Sequence, residues 1–221
     1  MFIVIDGNDG SGKGTQTKKL EERLVQTKHN YAFYDFPTYE KSKLGYLVGD
    51  YLAGKYGAMA DVPVELASLF YTIDRYQLKD QMFRDLKDGK VIICNRFTPS
   101  NMAYQGAKLK GRERNELVKW IEATESRLPK PDVVVFLDMP ADVVQQLVDK
   151  KGHRNYLGGQ KRDIHESSRT YLEEVGQFYR ELAEKHGWMH IKCATKKGDE
   201  WVIRSIDDIH EEIWDKIKDK L

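Results

Sequence analysis

The run GNDGSGKGTQ, residues Gly7 to Gln16, follows the apolar stretch FIVID (2–6) and precedes a segment of helical period. Strand, glycine loop and helix in that order make an anion cradle. Glycines let successive backbone N–H groups turn inward, the helix adds its positive N-terminal end, and a lysine reaches the terminal phosphates. Gly7, Asn8, Asp9, Gly10, Ser11, Gly12, Lys13, Gly14 and Thr15 are therefore the residues expected around the phosphates of a nucleotide. One position departs from the usual loop: the hydroxyl that should follow the lysine and ligate Mg²⁺ is replaced by Gly14, with Thr15 one place late. A calcium loop is excluded, because its obligatory glycine would fall at Ser11 and its final glutamate at Thr17.

A second group of reactive types lies in VIICNRFTPSNMAYQGAK. Arg96 falls just past the C-terminal end of a strand, the edge where ligands bind in open α/β sheets, and its guanidinium can make paired hydrogen bonds to a phosphate. Asn101 and Gln105 offer amide edges suited to a base, and Tyr104 an aromatic face. No N-K-x-D motif is present for guanine recognition, and VVVFLD ends in a single Asp138 instead of the acidic pair of a motor ATPase. These residues argue for a kinase acting on a small phosphorylated acceptor.

These residues need a frame. Buried strands are expected at 2–6, 31–36, 90–95, 133–138 and 189–193, and helices at 15–28, about 63–88, 113–127, 141–150, 166–186 and 200–220. Alternation of this kind signals an α/β fold, a five-stranded parallel sheet flanked by helices on both faces. The segment KKGHRNYLGGQKRDIHE (150–166) crowds turn and basic residues and reads as a mobile basic loop between two helices. With 221 residues, 40% hydrophobic and 32% charged, and a formal charge of +1, the chain suits a single domain over 1–221. It has neither the composition of a disordered chain nor a whole-molecule basic footprint for nucleic acid. No run approaches a membrane span and no leader pattern opens the chain, so a cytoplasmic protein is expected. Cys94 and Cys193 read as buried free thiols.

The loop ending GKGT resembles that of nucleoside monophosphate kinases, which share the P-loop fold. In that reading Thr15 caps the helix or meets a phosphate, while Mg²⁺ is held through waters and carboxylates. Taken with FPTYEKSKLG, LFYTIDR, NRFTPSNMAYQG, LPKPDVVVFLD and DIHE, nearly the whole chain resembles the thymidylate kinase (dTMP kinase) family. The resemblance implies transfer of the ATP γ-phosphoryl group to dTMP, giving dTDP and ADP for dTTP synthesis, with Mg²⁺ and in a homodimer. It implies that Tyr71, beside Phe70, stacks on thymine and that Arg75 bonds the carbonyl distinguishing thymine from cytosine. Asn101 and Gln105 would meet the pyrimidine edge, and Tyr104 would crowd the sugar. Arg96 would grip the acceptor phosphate, Phe36 and Pro37 would wall the acceptor pocket, and Asp163 and His165 would approach the acceptor. Asp9 would position the acceptor sugar and a metal-bound water, joined by Glu166, and Lys13 would stabilise charge on the transferring group.

Three departures from the family pattern bear on this. Asn95 stands where the family usually has Asp, with Phe97 in place of a common Tyr. Thr38 and Tyr39 follow Phe36-Pro37 where many members carry an arginine; Tyr39 can donate one hydrogen bond, and Lys41 or Lys43 can supply charge. Gly10 follows Asp9, so the catalytic arginine is expected in a flexible basic lid at 150–166, with Arg154 and Arg162 the candidates among Lys150, Lys151 and Lys161. Two alternatives stay open: a kinase of another monophosphate or of a deoxynucleoside, and a nucleotide-binding regulatory protein with little turnover.

Overall fold

The computed structural model describes residues 1–148, 163–165 and 168–221. In chain order the elements are β1 (Phe2–Gly7), α1 (Lys13–Gln26), β2 (Tyr31–Asp35), α2 (Lys43–Leu52), α3 (Val64–Tyr76), α4 (Lys79–Lys87), β3 (Val91–Asn95), α5 (Thr98–Gly106), α6 (Gly111–Thr124), β4 (Val133–Asp138), α7 (Ala141–Val148), α8 (Arg169–His186), β5 (Met189–Lys192), β6 (Ala194–Lys197), β7 (Glu200–Ile203) and α9 (Ile206–Ile217).

The expected parallel sheet forms, in the order β2-β3-β1-β4-β5. Its apolar runs are continuous because both faces are covered. Ile3, Ile5, Ile93 and Val135 pack with Leu20 and Leu24 of α1 and Ile209 and Ile213 of α9. On the opposite face, Phe2, Val4, Ile92 and Cys94 meet Met82 of α4, while Phe136 packs with α5, α6 and α8. The register aligns the strand ends: Asp35 pairs with Asn95, Ile5 with Asn95 and Gly7 with Leu137. The chain thus leaves β1, β2 and β3 at a common edge, the one that carries the glycine loop. Both cysteines are free and buried.

Four expectations are corrected. The helix expected over 63–88 breaks at 77–78, where the Leu78 N–H bonds the Arg75 carbonyl in a tightened turn and Gln77 folds back on Asp74. No proline or glycine marks that break, so periodicity alone runs through it. The segment 43–52 is a helix despite Gly45 and Gly49, because Val48, Tyr51 and Leu52 are buried against α3. The motif after β3 is also helical over 98–106, nearly all of it buried, so it shows no amphipathic period. Finally, residues 200–203 pair with 194–197 as a hairpin, and the last helix starts only at Ile206, capped by Ser205 accepting from the Asp208 N–H at 3.0 Å. Of the basic segment 150–166, only Asp163, Ile164 and His165 are described; Lys150, Lys151, Arg154, Lys161, Arg162 and Glu166 lie outside the described residues.

Candidate active site

Between β1 and α1 the chain turns through Gly7, with φ of 143°, and a Cβ there would meet the Leu137 carbonyl oxygen at 2.5 Å. Only glycine satisfies both constraints. Helix α1 starts after Gly12 (φ 90°) with no side chain capping it, which turns its first backbone N–H groups toward the loop's concavity. Thr15 is exposed there and does not cap the helix, the first of the two roles expected for it. The Lys13 ammonium is buried and donates to the Gly7 carbonyl at 3.0 Å and the Asn8 carbonyl at 2.6 Å, which keeps it inside the loop.

The end of β3 is tied to this loop by a buried carboxylate. Asp6 accepts from the Gly7 N–H (2.8 Å), Ser100 Oγ (2.6 Å) and Tyr179 Oη (2.7 Å) through Oδ1, and from the Phe97 and Ser100 N–H groups through Oδ2 (3.2 and 3.1 Å). Arg96 sits in the left-handed region (φ 63°), a conformation disfavoured for a residue with a Cβ and held here by its surroundings. That backbone swings its guanidinium over the loop, where it donates to Asp9 Oδ1 (2.8 Å), Ser100 Oγ (3.0 Å) and the Gly7 carbonyl (3.3 Å). Tyr104 Oη donates to Asp9 Oδ2 at 2.8 Å and accepts the Asp9 N–H at 3.1 Å. Burial, and then the Asp9 charge, raise the Tyr104 phenol well above its ordinary value, so it stays a donor.

Two cavities meet at this point. One is lined by Asp9, Phe36, Pro37, Tyr39, Leu52, Tyr71, Arg75, Arg96, Ser100, Asn101, Tyr104, Gln105, Asp163 and His165. The other, about 810 Å³, takes in the loop from Asp9 to Gln16 together with Asp35, Asn95, Lys41, Met139, Ile203, Arg204 and Ile206. Asp9, Arg96, Phe36, Pro37 and Tyr39 line both. The structure therefore brings together nearly every described residue expected around an acceptor. Phe70 is the exception: it packs against Tyr51 and Tyr56 (6.0 and 5.5 Å between ring centres) and does not line the cavity. Lys41 lines the loop cleft with its ammonium 4.0 Å from Asp35, whereas Lys43 opens α2 and lines neither cavity.

Sequence reasoning missed four groups that hold these residues. Glu125 is buried beneath Arg75 and accepts from its Nε and Nη2 (3.1 and 2.5 Å). Burial alone would raise its carboxyl, but the Arg75 charge and its hydrogen bonds hold it below the usual carboxylate value. Asp74 accepts from the Thr38 N–H (2.9 Å) and Oγ1 (2.5 Å), so Thr38 is a buried clamp between the Phe36-Pro37 turn and α3. Asp35 accepts from Asn95 Nδ2 at 2.8 Å, which puts a carboxylate one strand over from the position where Asn95 lacks one. Lys108 Nζ donates to Tyr51 Oη (2.6 Å), and Tyr51 in turn faces His165 Nε2 at 3.1 Å. Burial, then Lys108, hold His165 well below its ordinary value, so the ring is neutral. None of these partners is near in sequence to the residue it holds, so only a register or contact could reveal them.

The sequence model of thymidylate kinase matches residues 5–206. The chain belongs to the thymidylate kinase family. A thymidylate kinase of Mycobacterium tuberculosis is 28% identical over 210 residues, covering 94% of this chain and 92% of that one. A probable thymidylate kinase of Pyrococcus horikoshii is 30% identical over 224 residues, covering 100% and 97%. The human thymidylate kinase is 30% identical over 159 residues, covering 72% and 69%. In three dimensions, the thymidylate kinase of Candida albicans superposes with a TM-score of 0.72 at 24% identity, over 99% of this chain and 91% of that chain. The family's fold is thus carried over almost the full length.

Proposed function

We propose that this protein transfers the γ-phosphoryl group of ATP to the 5′-phosphate of dTMP, giving dTDP and ADP for dTTP synthesis. The observation that carries the reading is the meeting of a phosphate-loop cleft and an aromatic, amide-lined cavity at Asp9 and Arg96. The acceptor is already an anion, so no base need remove a difficult proton. The protein's contribution is alignment and charge neutralisation. Lys13 and the loop N–H groups hold the donor phosphates, Arg96 holds the acceptor phosphate, and Asp9, fixed by Arg96 and Tyr104, orients the sugar end. Tyr71 stacks on the base, Arg75, Asn101 and Gln105 read its edge, and the Tyr104 ring crowds the sugar at the ribose 2′ position. Residues 1–221 act as one domain, with 150–166 as its lid and Arg154 or Arg162 meeting the transition-state charge.

The residues present fit Mg²⁺. Among the described residues no group of three or more His, Cys, Asp or Glu could cage an ion. A cation that keeps its waters and binds mainly to substrate phosphates needs few protein oxygens, and the Asp9 carboxylate lines both cavities. Asp9 and Glu166 would hold it through water, where it supplies charge neutralisation of the phosphates. The reading includes a homodimer, the cytoplasm as compartment, and neither nucleic acid nor membrane as partner. No described helix is long and apolar enough to cross a membrane.

The test is ADP release from ATP and Mg²⁺ with a panel of nucleoside monophosphates and deoxynucleosides. The expected result is fastest turnover with dTMP. Preference for another acceptor, or nucleotide bound and never consumed, would replace the reading with one of its two rivals.

A further inference from the structure

Glu125 stands immediately after α6, at its C-terminal cap, where the helix dipole opposes negative charge. Its side chain is 1% exposed. A charge so placed does nothing for its own helix and must be held by what surrounds it. Its oxygens accept from Arg75 Nε (3.1 Å) and Nη2 (2.5 Å), Asn101 Nδ2 (2.9 Å), Thr72 Oγ1 (2.9 Å) and Thr98 Oγ1 (2.6 Å). Four side chains from α3 and α5 thus converge on one carboxylate, and two of them, Arg75 and Asn101, line the acceptor cavity.

We propose that Glu125 is a positioning residue that sets the hydrogen-bond polarity with which Arg75 and Asn101 face the base. This rests on the reading of that cavity as a thymine site. A carboxylate can only accept, and so can the Ser68 carbonyl, which takes Asn101 Nδ2 at 3.2 Å. With both amide hydrogens claimed by acceptors, Asn101 cannot flip. Its Oδ1 is left buried with no hydrogen-bond partner, on a side chain of a residue 2% exposed. Such an orphaned acceptor in a ligand cavity calls for a donor from the ligand. Arg75 is fixed in the opposite sense: Nε and Nη2 are committed to Glu125, and the guanidinium can only donate.

Arg75 and Asn101 therefore present one donor and one acceptor, beside the Gln105 amide, whose Nε2 and Oε1 are both buried without a partner. Thymine offers the complement, a carbonyl at C4 and an N–H at N3. Cytosine offers the reverse, an amino group and a bare nitrogen, so both contacts fail together. Glu125 and the Ser68 carbonyl together enforce this polarity on Asn101, and Glu125 is the one a side-chain change reaches: a neutral amide in its place could donate to Asn101 as well as accept from it.

The experiment compares kcat/KM for dTMP and dCMP, with KM for ATP, in the full-length wild type and in Glu125→Gln. The dTMP-over-dCMP ratio is expected to fall about 10- to 100-fold, the range for losing a hydrogen bond to a charged group. KM for dTMP should rise more than kcat falls, and KM for ATP should stay unchanged. A role in folding alone would lower active enzyme without moving the ratio. An unchanged ratio overturns the proposal, whatever the rate. Should circular dichroism show Glu125→Gln unfolded, Glu125→Asp keeps the charge but withdraws by one methylene the oxygen, Oε1, that Arg75 Nη2 and Asn101 Nδ2 share. A smaller fall of the ratio in the same direction supports the proposal, and an unchanged one overturns it. A wild type with no preference for dTMP would instead remove the thymine reading beneath it, a result visible before any variant is made.

Discussion

Tyr104→Phe keeps the ring and deletes one oxygen that has two partners on Asp9. The bond to the carboxylate is of the kind worth about 1.5–3 kcal/mol, and the bond from the Asp9 N–H about 0.5–1.5 kcal/mol. The Asp9 side chain is 21% exposed, so water recovers part of the loss. The ring stays packed against His165 and beneath Arg96, which removes any cavity cost. The low end therefore applies, about 2 kcal/mol, or a Tm lowered by about 4–8 °C for a chain of this size. Arg96 still holds Oδ1, but Oδ2 loses its bond from the phenol and the carboxylate is oriented less firmly. Loosening a group that orients the reacting centre should cost about tenfold in kcat, with KM for ATP unaffected. Discrimination against a ribose acceptor should persist, since the ring that crowds the sugar is retained. Thermal unfolding and coupled ADP release measure all of this. A variant with wild-type Tm and kcat would show that the hydroxyl does not hold Asp9.

Lys13→Ala should fold normally and lose about 10²–10³-fold in turnover, because the buried ammonium neutralises phosphate charge more than it supports the loop; near-normal steady-state rates would refute the loop's role. His165 is held below its ordinary value of 6.5 by burial and then by Lys108, so the folded ring stays neutral where the unfolded chain takes up a proton. The unfolded state binds more protons below that value, and stability must fall as pH drops through it, with no contribution above. Thermal unfolding between neutral pH and about pH 5 should show a steeper loss in the wild type than in His165→Gln. Parallel curves would mean that the ring is not buried neutral.

The glycine loop was legible because its chemistry is local: nine consecutive residues carry both the turn and the N–H groups, and the flanking strand and helix announce themselves by period. Arg96 was legible for a related reason, since the end of an apolar run in a parallel sheet is also the ligand edge. The helix at 43–52 was hidden by its glycines and the one at 98–106 by burial on all sides, conditions under which neither propensity nor period reports the backbone. Thr38 looked like a lost phosphate contact and is a clamp on Asp74, a partner 36 residues away.

Sequence by itself determined the sheet, the cradle and the cavity's inventory of aromatic, amide and guanidinium groups, because each follows from composition and spacing within one element or from a resemblance carried by whole motifs. Tertiary structure alone decided how those groups are aimed. Arg75 and Asn101 answer to Glu125, Asn95 to Asp35, and Asp9 to Tyr104 and Arg96, across 24 to 95 residues of chain. A buried polar group must find its partner wherever folding puts one, and that partner fixes which atom it turns toward a ligand.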